Sequence, residues 1–416
     1  MAARDLTDTD LSAAANLSEP AGTGVDPAAL ARYERDPDFR RGLGMARGGG
    51  EVLRSTALLL LPPLCVTTGR VPAALEWLGR NGFQVIYAGL RHLDATHIER
   101  VWKYQIGARD PVRVQVFADL MTCGPSVVLG LFGQAADGVS AAARLKGLKG
   151  PADPRRAAPH HLRTRLGAAN LLNNLAHTSD GPAEVVRESA AILGDHDATA
   201  LWEAAGQALA AAPPKVDVLD LLPPATDQRD GISLAHVCVG MRARIITDIQ
   251  AMLDPGHSAL MGPDGSAPIG LDRFVPTDSS SSASADPDRS ALAEVVGRVS
   301  VEERWAEDHD PVEPLVALAD FQRRFRPVLG AVERATRHRR TSDAVRLDGL
   351  LALFGAIEAA LFGAPFDFGH VVAAARTTGF PLGTRDRMVL ATEWVCRAGL
   401  TDTRALRPAS VTGGTV

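Results

Sequence analysis

The stretch Asn174-Leu-Ala-His177-Thr-Ser-Asp180-Gly-Pro182 decides how the chain is organised, because it predicts the junction where a strand ends and a helix begins. Pro182 suits the first turn of a helix, where free N–H groups and the helix dipole favour an anion beside His177. Glu188 follows less than two turns into that helix. Its carboxylate is placed to return to the imidazole, select one tautomer and leave the other ring nitrogen as a nucleophile. A loop histidine is more often a solvated residue, and spacing alone leaves that interpretation open.

Composition sets the outer limits on function. The 416 residues are 46% hydrophobic and 22% charged, which is typical of an ordinary soluble protein with two or three domains. The net charge of −5 gives no electrostatic reason to expect nucleic acid as a partner. The four cysteines form no Cys-x-x-Cys pair, which favours a reducing, cytoplasmic setting without disulfides or a zinc site. No signal-like segment or long apolar run occurs, so we expect neither secretion nor a membrane partner.

Upstream of the junction the pattern is mixed α and β. Short apolar or alternating runs predict strands at 56–61, 83–90 and 126–132, and helical periodicity covers 71–81, 95–105, 112–121 and 135–148. With the extended segment before His177, this order predicts an α+β fold, a ferredoxin-like α/β sandwich with an antiparallel sheet.

Downstream of Leu193 the pattern becomes mostly α-helical. We divide the chain into a tail or docking arm (1–52), the α/β domain (53–195), a helical extension (196–253), a Ser-rich flexible linker (254–288), a helical C-terminal domain (289–400) and a tail (401–416). Seven arginines between Arg323 and Arg340 form a basic face, which we interpret as a solvated helix surface rather than a docking site.

Several ordered motifs resemble those of nucleoside diphosphate kinases over about residues 55–195. That family carries Asn three residues before its nucleophilic His, which is followed by Gly-Ser-Asp; here the residues are Asn174, His177, Thr178, Ser179 and Asp180. Met121-Thr-Cys-Gly-Pro125, Gly150-Pro-Ala-Asp-Pro154 and Pro159-His-His-Leu-Arg163 resemble three further family motifs in the same order.

The resemblance implies a nucleotide-dependent phosphotransferase that works through a phosphohistidine, with ATP or another nucleoside triphosphate as donor and Mg²⁺ carried with the nucleotide. In this comparison His177 is the nucleophile, and no residue is expected to bind a metal directly. Glu188 is implied to orient the imidazole, and Ser179 and Asp180 to support the loop. The residues implied to bind the nucleotide or its phosphates are Arg163, Asn174, Lys146, Arg144, Tyr104, His160 and His161. The family also implies a homo-oligomer of unspecified size.

Departures from the family pattern keep other functions open. The lysine that ends the family's first strand is Leu61 here, and Ala152 and Asp153 replace a phosphate-binding Thr-Asn pair. Losing one such donor costs about 3 to 4 kcal/mol of transition-state stabilisation. No aromatic residue near Arg113 replaces the one that stacks on the base. These departures favour a phosphotransferase that diverges from the family in rate or acceptor. The alternatives are a catalytically silent nucleotide-binding or assembly module, and a specialised biosynthetic enzyme that uses the kinase-like fold together with the helical region.

Overall fold

The computed structural model describes residues 27–46, 49–106, 110–135, 138–211, 215–224, 234–253, 341–361 and 363–397. The chain divides into two compact units, one formed by 1–232 with 391–416 and the other by 233–390. The predicted flexible linker (254–288), the arginine-rich segment, residues 1–26 of the N-terminal arm and the C-terminal tail (401–416) lie outside the described residues.

The described part of the first unit contains a four-stranded antiparallel sheet in the order β2-β3-β1-β4. The strands are β1 (Thr56–Leu61), β2 (Gln84–His92), β3 (Pro125–Phe132) and β4 (His177–Thr178). All six residues of β1 are buried, as expected for a central strand that is covered on both faces. The predicted ferredoxin-like sandwich is therefore confirmed, since that fold places β1 and β3 at the centre of the sheet.

The helices of this unit precede, connect and follow the strands. They are α1 (Pro27–Glu34), α2 (Pro37–Met45), α3 (Gly49–Ser55), α4 (Pro63–Thr67), α5 (Val71–Arg80), α6 (Ala95–Ile106), α7 (Pro111–Thr122), α8 (Ala141–Lys149), α9 (Leu162–Arg165) and α10 (Pro182–Ala210). Helix α10 packs on β1 and β2 and on α2. It contains a non-helical residue, Gly194, with a φ of 75°, a conformation that glycine adopts without steric cost.

Helix α2 lies in the segment predicted as a tail or docking arm, and it contacts α10 closely. A Cβ atom at Gly42 would lie 2.1 Å from the carbonyl oxygen of Val186, so only glycine allows this approach of the two main chains. Asp36, the N-cap of α2, accepts a hydrogen bond of 2.6 Å from the Tyr104 hydroxyl and pairs with Lys103 at 2.7 Å. These contacts attach the N-terminal helices to the sheet unit.

The second unit is helical in its described part, as the sequence predicts. It contains α11 (Leu234–Leu253), α12 (Thr341–Leu361), α13 (Phe368–Thr378) and the first half of α14 (Thr384–Arg397). Helix α12 packs against both α11 and α13, and their shared core includes Met241, Ile245, Leu353, Phe354 and Val371. The stretches Gly363-Ala-Pro365 and Gly379-Phe-Pro381, whose glycines and prolines predict interruptions of the helical pattern, lie between these helices.

Two predicted boundaries are wrong. The helix expected over 135–148 begins only at Ala141, because the Ser140 side chain accepts a hydrogen bond from Ala143 N at 3.2 Å and caps the helix there. The glycine run at 48–50 also predicts a break in the chain, which is wrong for Gly49 and Gly50 because they form the first turn of α3.

Candidate active site

His177 lies at the strand-to-helix junction. Strand β4 pairs with β1 so that His177 is opposite Leu60, and α10 begins five residues later at Pro182. The side chain of His177 is 20% exposed. Its ring lies 4.9 Å from that of Trp102, in an edge-on arrangement that limits rotation of the imidazole.

Glu188 contacts His177 directly. Its Oε2 atom lies 2.9 Å from His177 Nε2 and also accepts a 2.7 Å hydrogen bond from the Ser179 hydroxyl. Burial raises the pKa of Glu188, but His177, Arg187 and Ser179 outweigh burial and hold the pKa below its ordinary value. An ionised carboxylate only accepts hydrogen bonds, so Nε2 carries the proton and Nδ1 keeps its lone pair.

Arg187 is a site residue that the sequence analysis missed. Its side chain is fully buried, donates to Glu188 Oε1 at 3.1 Å and also donates to the main-chain carbonyls of Arg100 (2.6 Å) and Val101 (2.7 Å). It holds Glu188 as a carboxylate and joins α10 to α6. Adjacent helix residues normally diverge, so nothing in the local pattern indicates that Arg187 and Glu188 pair.

A cavity of about 90 Å³ opens beside His177, with room for a few water molecules. Most of its lining is apolar and comes from Leu60, Trp102, Phe117, Leu120 and Met121. The loop before β4 closes one side, and Leu175 in that loop has a φ of 60° although it is not glycine. Such strained backbone persists only where the surrounding structure holds it, and it is common at functional sites.

Arg163 and Asn174, which the resemblance predicts to bind the nucleotide or its phosphates, both line this cavity. The Arg163 guanidinium donates to Ala176 O from Nε (3.2 Å) and Nη2 (2.7 Å), and to Gly150 O from Nη1 (3.0 Å). Three of its five N–H groups are thus used, and two remain for a ligand. Burial lowers the pKa of Arg163 to about 10, so it is still a cation at neutral pH. Asn174 donates to Leu171 O at 3.0 Å, which holds its amide within the loop.

Lys146, Asp180 and Lys149 lie together on the α8 side of the site. Lys146 pairs with Asp180 at 2.9 Å, and both side chains are about half exposed. Lys149, which the sequence analysis did not single out, is only 7% exposed. The pKa of Lys149 is lowered to about 8, mainly by burial and also by the charges of Arg163 and Lys146, against the opposing effect of Asp180 and Glu188. Lys146 and Lys149 are three residues apart and so lie on one face of the helix, and this spacing is the sequence feature that could have identified Lys149 as a neighbour of Lys146.

Four predicted phosphate-binding residues lie elsewhere among the described residues. Arg144 stacks on the Phe83 ring at 4.1 Å and donates to Asn81 O. Tyr104 points to Asp36 on the N-terminal helices. His160 and His161 contact each other with ring centroids 4.3 Å apart, and His161 Nδ1 accepts from Ala158 N. None of the four lines the cavity beside His177.

The departures at 61 and 153 have structural consequences. Leu61 is fully buried at the end of β1, so this position brings no cation to the site. Asp153 caps a short 3₁₀ turn (Pro154–Arg156), and its carboxylate accepts from Arg155 N at 3.1 Å and pairs with the Arg155 guanidinium at 2.8 Å. Its charge is therefore largely balanced locally.

No group of three or more His, Cys, Asp or Glu side chains is placed to hold a metal within the parts of the chain that the structure describes. None of the described helices has the length and apolar composition needed to cross a bilayer.

Comparison with known proteins identifies the family of the part of the chain that contains His177. The nucleoside diphosphate kinase family model matches residues 55–198, and no family covers the rest of the chain. The nucleoside diphosphate kinases of Parafrankia sp. and Frankia casuarinae are 33% and 34% identical over 131 residues, which are 32% of this chain and 89% of each relative. The solved nucleoside diphosphate kinase of Aquifex aeolicus is 23% identical, covering 31% of this chain and 88% of its own, with a TM-score of 0.27. The corresponding enzyme of Pyrobaculum aerophilum is 22% identical over 35% of this chain and 98% of its own, with a TM-score of 0.28. Through residues 55–198, this chain belongs to the nucleoside diphosphate kinase family.

Proposed function

We propose that this protein transfers the terminal phosphoryl group of a nucleoside triphosphate to an acceptor through a phosphohistidine on His177. The observation that carries the proposal is the 2.9 Å contact between His177 Nε2 and the buried Glu188 carboxylate. This contact leaves Nδ1 with a lone pair in a ring that lines a cavity. A solvated loop histidine would have no buried, ionised partner of this kind.

In the first half-reaction the Nδ1 lone pair attacks the γ-phosphorus, the bond from that phosphorus to the β–γ bridging oxygen breaks, and the nucleoside diphosphate leaves with the bond electrons. The imidazole gains positive charge as the new N–P bond forms, and the Glu188 carboxylate stabilises that charge through Nε2–H. In the second half-reaction an acceptor oxygen attacks the same phosphorus and releases neutral His177. Ser179 and Arg187 keep the carboxylate in place throughout.

The donor set fits a phosphate better than a metal ion. Arg163 lines the cavity and has two N–H groups left for phosphate oxygens, and the positive end of α10 lies a few residues beyond His177. We infer that Mg²⁺ arrives bound to the nucleotide phosphates. Its role there is to neutralise phosphate charge. The carboxylates around the site are already paired: Glu188 with His177 and Arg187, Asp180 with Lys146, and Asp153 with Arg155.

The test is labelling of the full chain with γ-³²P-ATP and Mg²⁺, followed by acid and base treatment. We expect a label that is lost in acid, stable in base and absent from His177→Ala. Chase with nucleoside diphosphates and with small metabolites identifies the acceptor: discharge only onto a metabolite assigns the specialised biosynthetic enzyme. A label that persists in His177→Ala would refute the proposed mechanism.

The cavity favours a second candidate, a catalytically silent nucleotide-binding or assembly module. At about 90 Å³ the cavity is smaller than the 300 to 1,000 Å³ of a usual ligand site, and its walls are mostly apolar. A nucleotide would enter only after the loop before β4 moved. Mg-ATP binding measured by calorimetry without any His177 label would establish this silent module.

We also propose that the chain forms a homo-oligomer, as the family resemblance implies. Light scattering after size-exclusion chromatography measures its mass directly, and a mass of one chain would exclude it.

A further inference from the structure

The described part of the first unit contains a buried lysine, Lys149, that the proposed reaction has not used. Lys149 is the last residue of α8, a helix that packs on both β1 and β4 and therefore on the strand that carries His177. It is 7% exposed, and among the described residues its ammonium forms no hydrogen bond or ion pair. Lysines are almost never buried to this extent without a partner, because the charge loses its hydration.

The charges around Lys149 do not compensate it. The groups that act on it are Lys146 on its own helix, Arg163 on α9, Asp180 in the loop before α10 and Glu188 on α10. Asp180 is paired with Lys146, and Glu188 is committed to His177, Ser179 and Arg187. Two cations thus remain close to each other with no carboxylate of their own, Lys149 and Arg163. This arrangement lowers the stability of the fold unless an anion binds or the lysine loses its proton.

We propose that Lys149 is a phosphate-binding residue of the His177 site and supplies the cation that Leu61 does not. This inference rests on the proposed phosphoryl transfer and adds to it the residue that balances charge on the transferring group. Arg163 lines the cavity beside His177 and donates to the carbonyl oxygen of Gly150, the residue that follows Lys149. Lys149 is therefore held next to the Arg163 guanidinium, and the two cations together would bind phosphate oxygens. The anion that this pair requires is the triphosphate of the donor.

The ionisation of Lys149 provides a signature that a merely structural residue would not show. With its pKa lowered to about 8 by burial, the free protein loses this cation as the pH rises above 8. The second-order rate constant for His177 labelling reports ionisations of the free protein. It therefore falls above pH 8 in the wild type. In Lys149→Arg the guanidinium keeps its charge, so this fall is absent up to pH 9.5.

The experiment compares four full-length chains: the wild type, Lys149→Met, Lys149→Arg and the control Lys215→Met. Methionine matches the length of lysine without its charge, and Lys215 is an exposed lysine whose loss tests for nonspecific charge effects. Circular dichroism first establishes that each chain is folded. Mg-ATP affinity is then measured by calorimetry and His177 labelling by γ-³²P transfer between pH 6.5 and 9.5.

We expect Lys149→Met to bind Mg-ATP about 10- to 100-fold more weakly than the wild type and to be labelled roughly 100- to 1,000-fold more slowly. Lys215→Met should match the wild type in both. Equal binding and labelling in Lys149→Met and Lys215→Met would overturn the role of Lys149 and leave the proposed function intact. Binding that depends on Lys149 without labelling of any chain would refute phosphoryl transfer but support the phosphate contact. Absence of both binding and labelling in the wild type would overturn both.

Discussion

Replacing Lys149 with methionine should stabilise the fold of the first unit at neutral pH. The pKa of this lysine is about 8 in the folded chain and 10.5 when it is hydrated. That difference corresponds to a penalty of about 3 kcal/mol for keeping the ammonium charged in the folded state. The full penalty applies below pH 8, where the lysine is protonated in both states. Between pH 8 and 10.5 the unfolded chain binds more protons, so wild-type stability rises with pH and the penalty disappears.

Urea unfolding of full-length wild type and Lys149→Met, followed by tryptophan fluorescence, measures this effect. We expect Lys149→Met to be more stable by about 3 kcal/mol at pH 7 and the difference between the two chains to shrink towards pH 10.5. Taking the difference removes the titration of other groups, and Lys215→Met controls for the loss of one positive charge. A Lys149→Met chain that is no more stable at pH 7, with a pH profile parallel to the wild type, would contradict an uncompensated ammonium at this position. A stability cost at a site for anion binding is the usual trade between function and stability.

Three further perturbations test the remaining contacts. Glu188→Gln leaves the buried Arg187 guanidinium without its carboxylate. Urea unfolding should show a free energy of unfolding lower by about 3 to 5 kcal/mol, and the His177 label should be lost. An unchanged free energy of unfolding in Glu188→Gln would argue against the buried ion pair. Gly42→Ala should lower the melting temperature and expose the N-terminal helices to protease, because its Cβ would clash with the main chain of α10. Its matched control is Gly44→Ala, which has open space around the new methyl group and should gain about 1 kcal/mol from helix propensity. Burial raises the pKa of Asp36, but bonds from lysine and tyrosine hold it below its ordinary value of 3.8. The stabilisation by Asp36 is therefore complete above pH 3.8 and lost in more acidic solution, a loss that Asp36→Asn should not show in an acid titration of protease sensitivity.

The local sequence predicts most of the sheet unit. The continuous apolar run of β1, the alternation in β2 and the Gly-Pro turn before β3 identify the strands, and Pro182 marks the start of α10. Their order predicts the ferredoxin-like arrangement, because few topologies connect these elements with short links. The errors are at helix starts. The residues before Ser140 have helical periodicity, but the helix begins after Ser140 because its side chain caps the first turn.

The candidate site is predictable only in part. The eleven-residue spacing of His177 and Glu188 on a strand-to-helix junction anticipates their 2.9 Å contact. Arg144 and Tyr104 are predicted from their sequence positions to bind phosphate, and in the structure their side chains contact Asn81 and Asp36. Which of several nearby partners a long side chain reaches depends on packing between distant segments, and local spacing contains no such information.

The sequence by itself determined the strands, their order, the junction at His177 and the family of residues 55–198, because these depend on periodicity, turn residues and motif spacing. Only the tertiary structure decided that Arg187 supports Glu188, that Arg163 uses three of its N–H groups on the main chain, and that Lys149 is buried without a counterion. The physical reason is that hydration and the set of neighbouring charges control the ionisation of a side chain. Both are set by segments that are far apart in the chain and meet only when it folds.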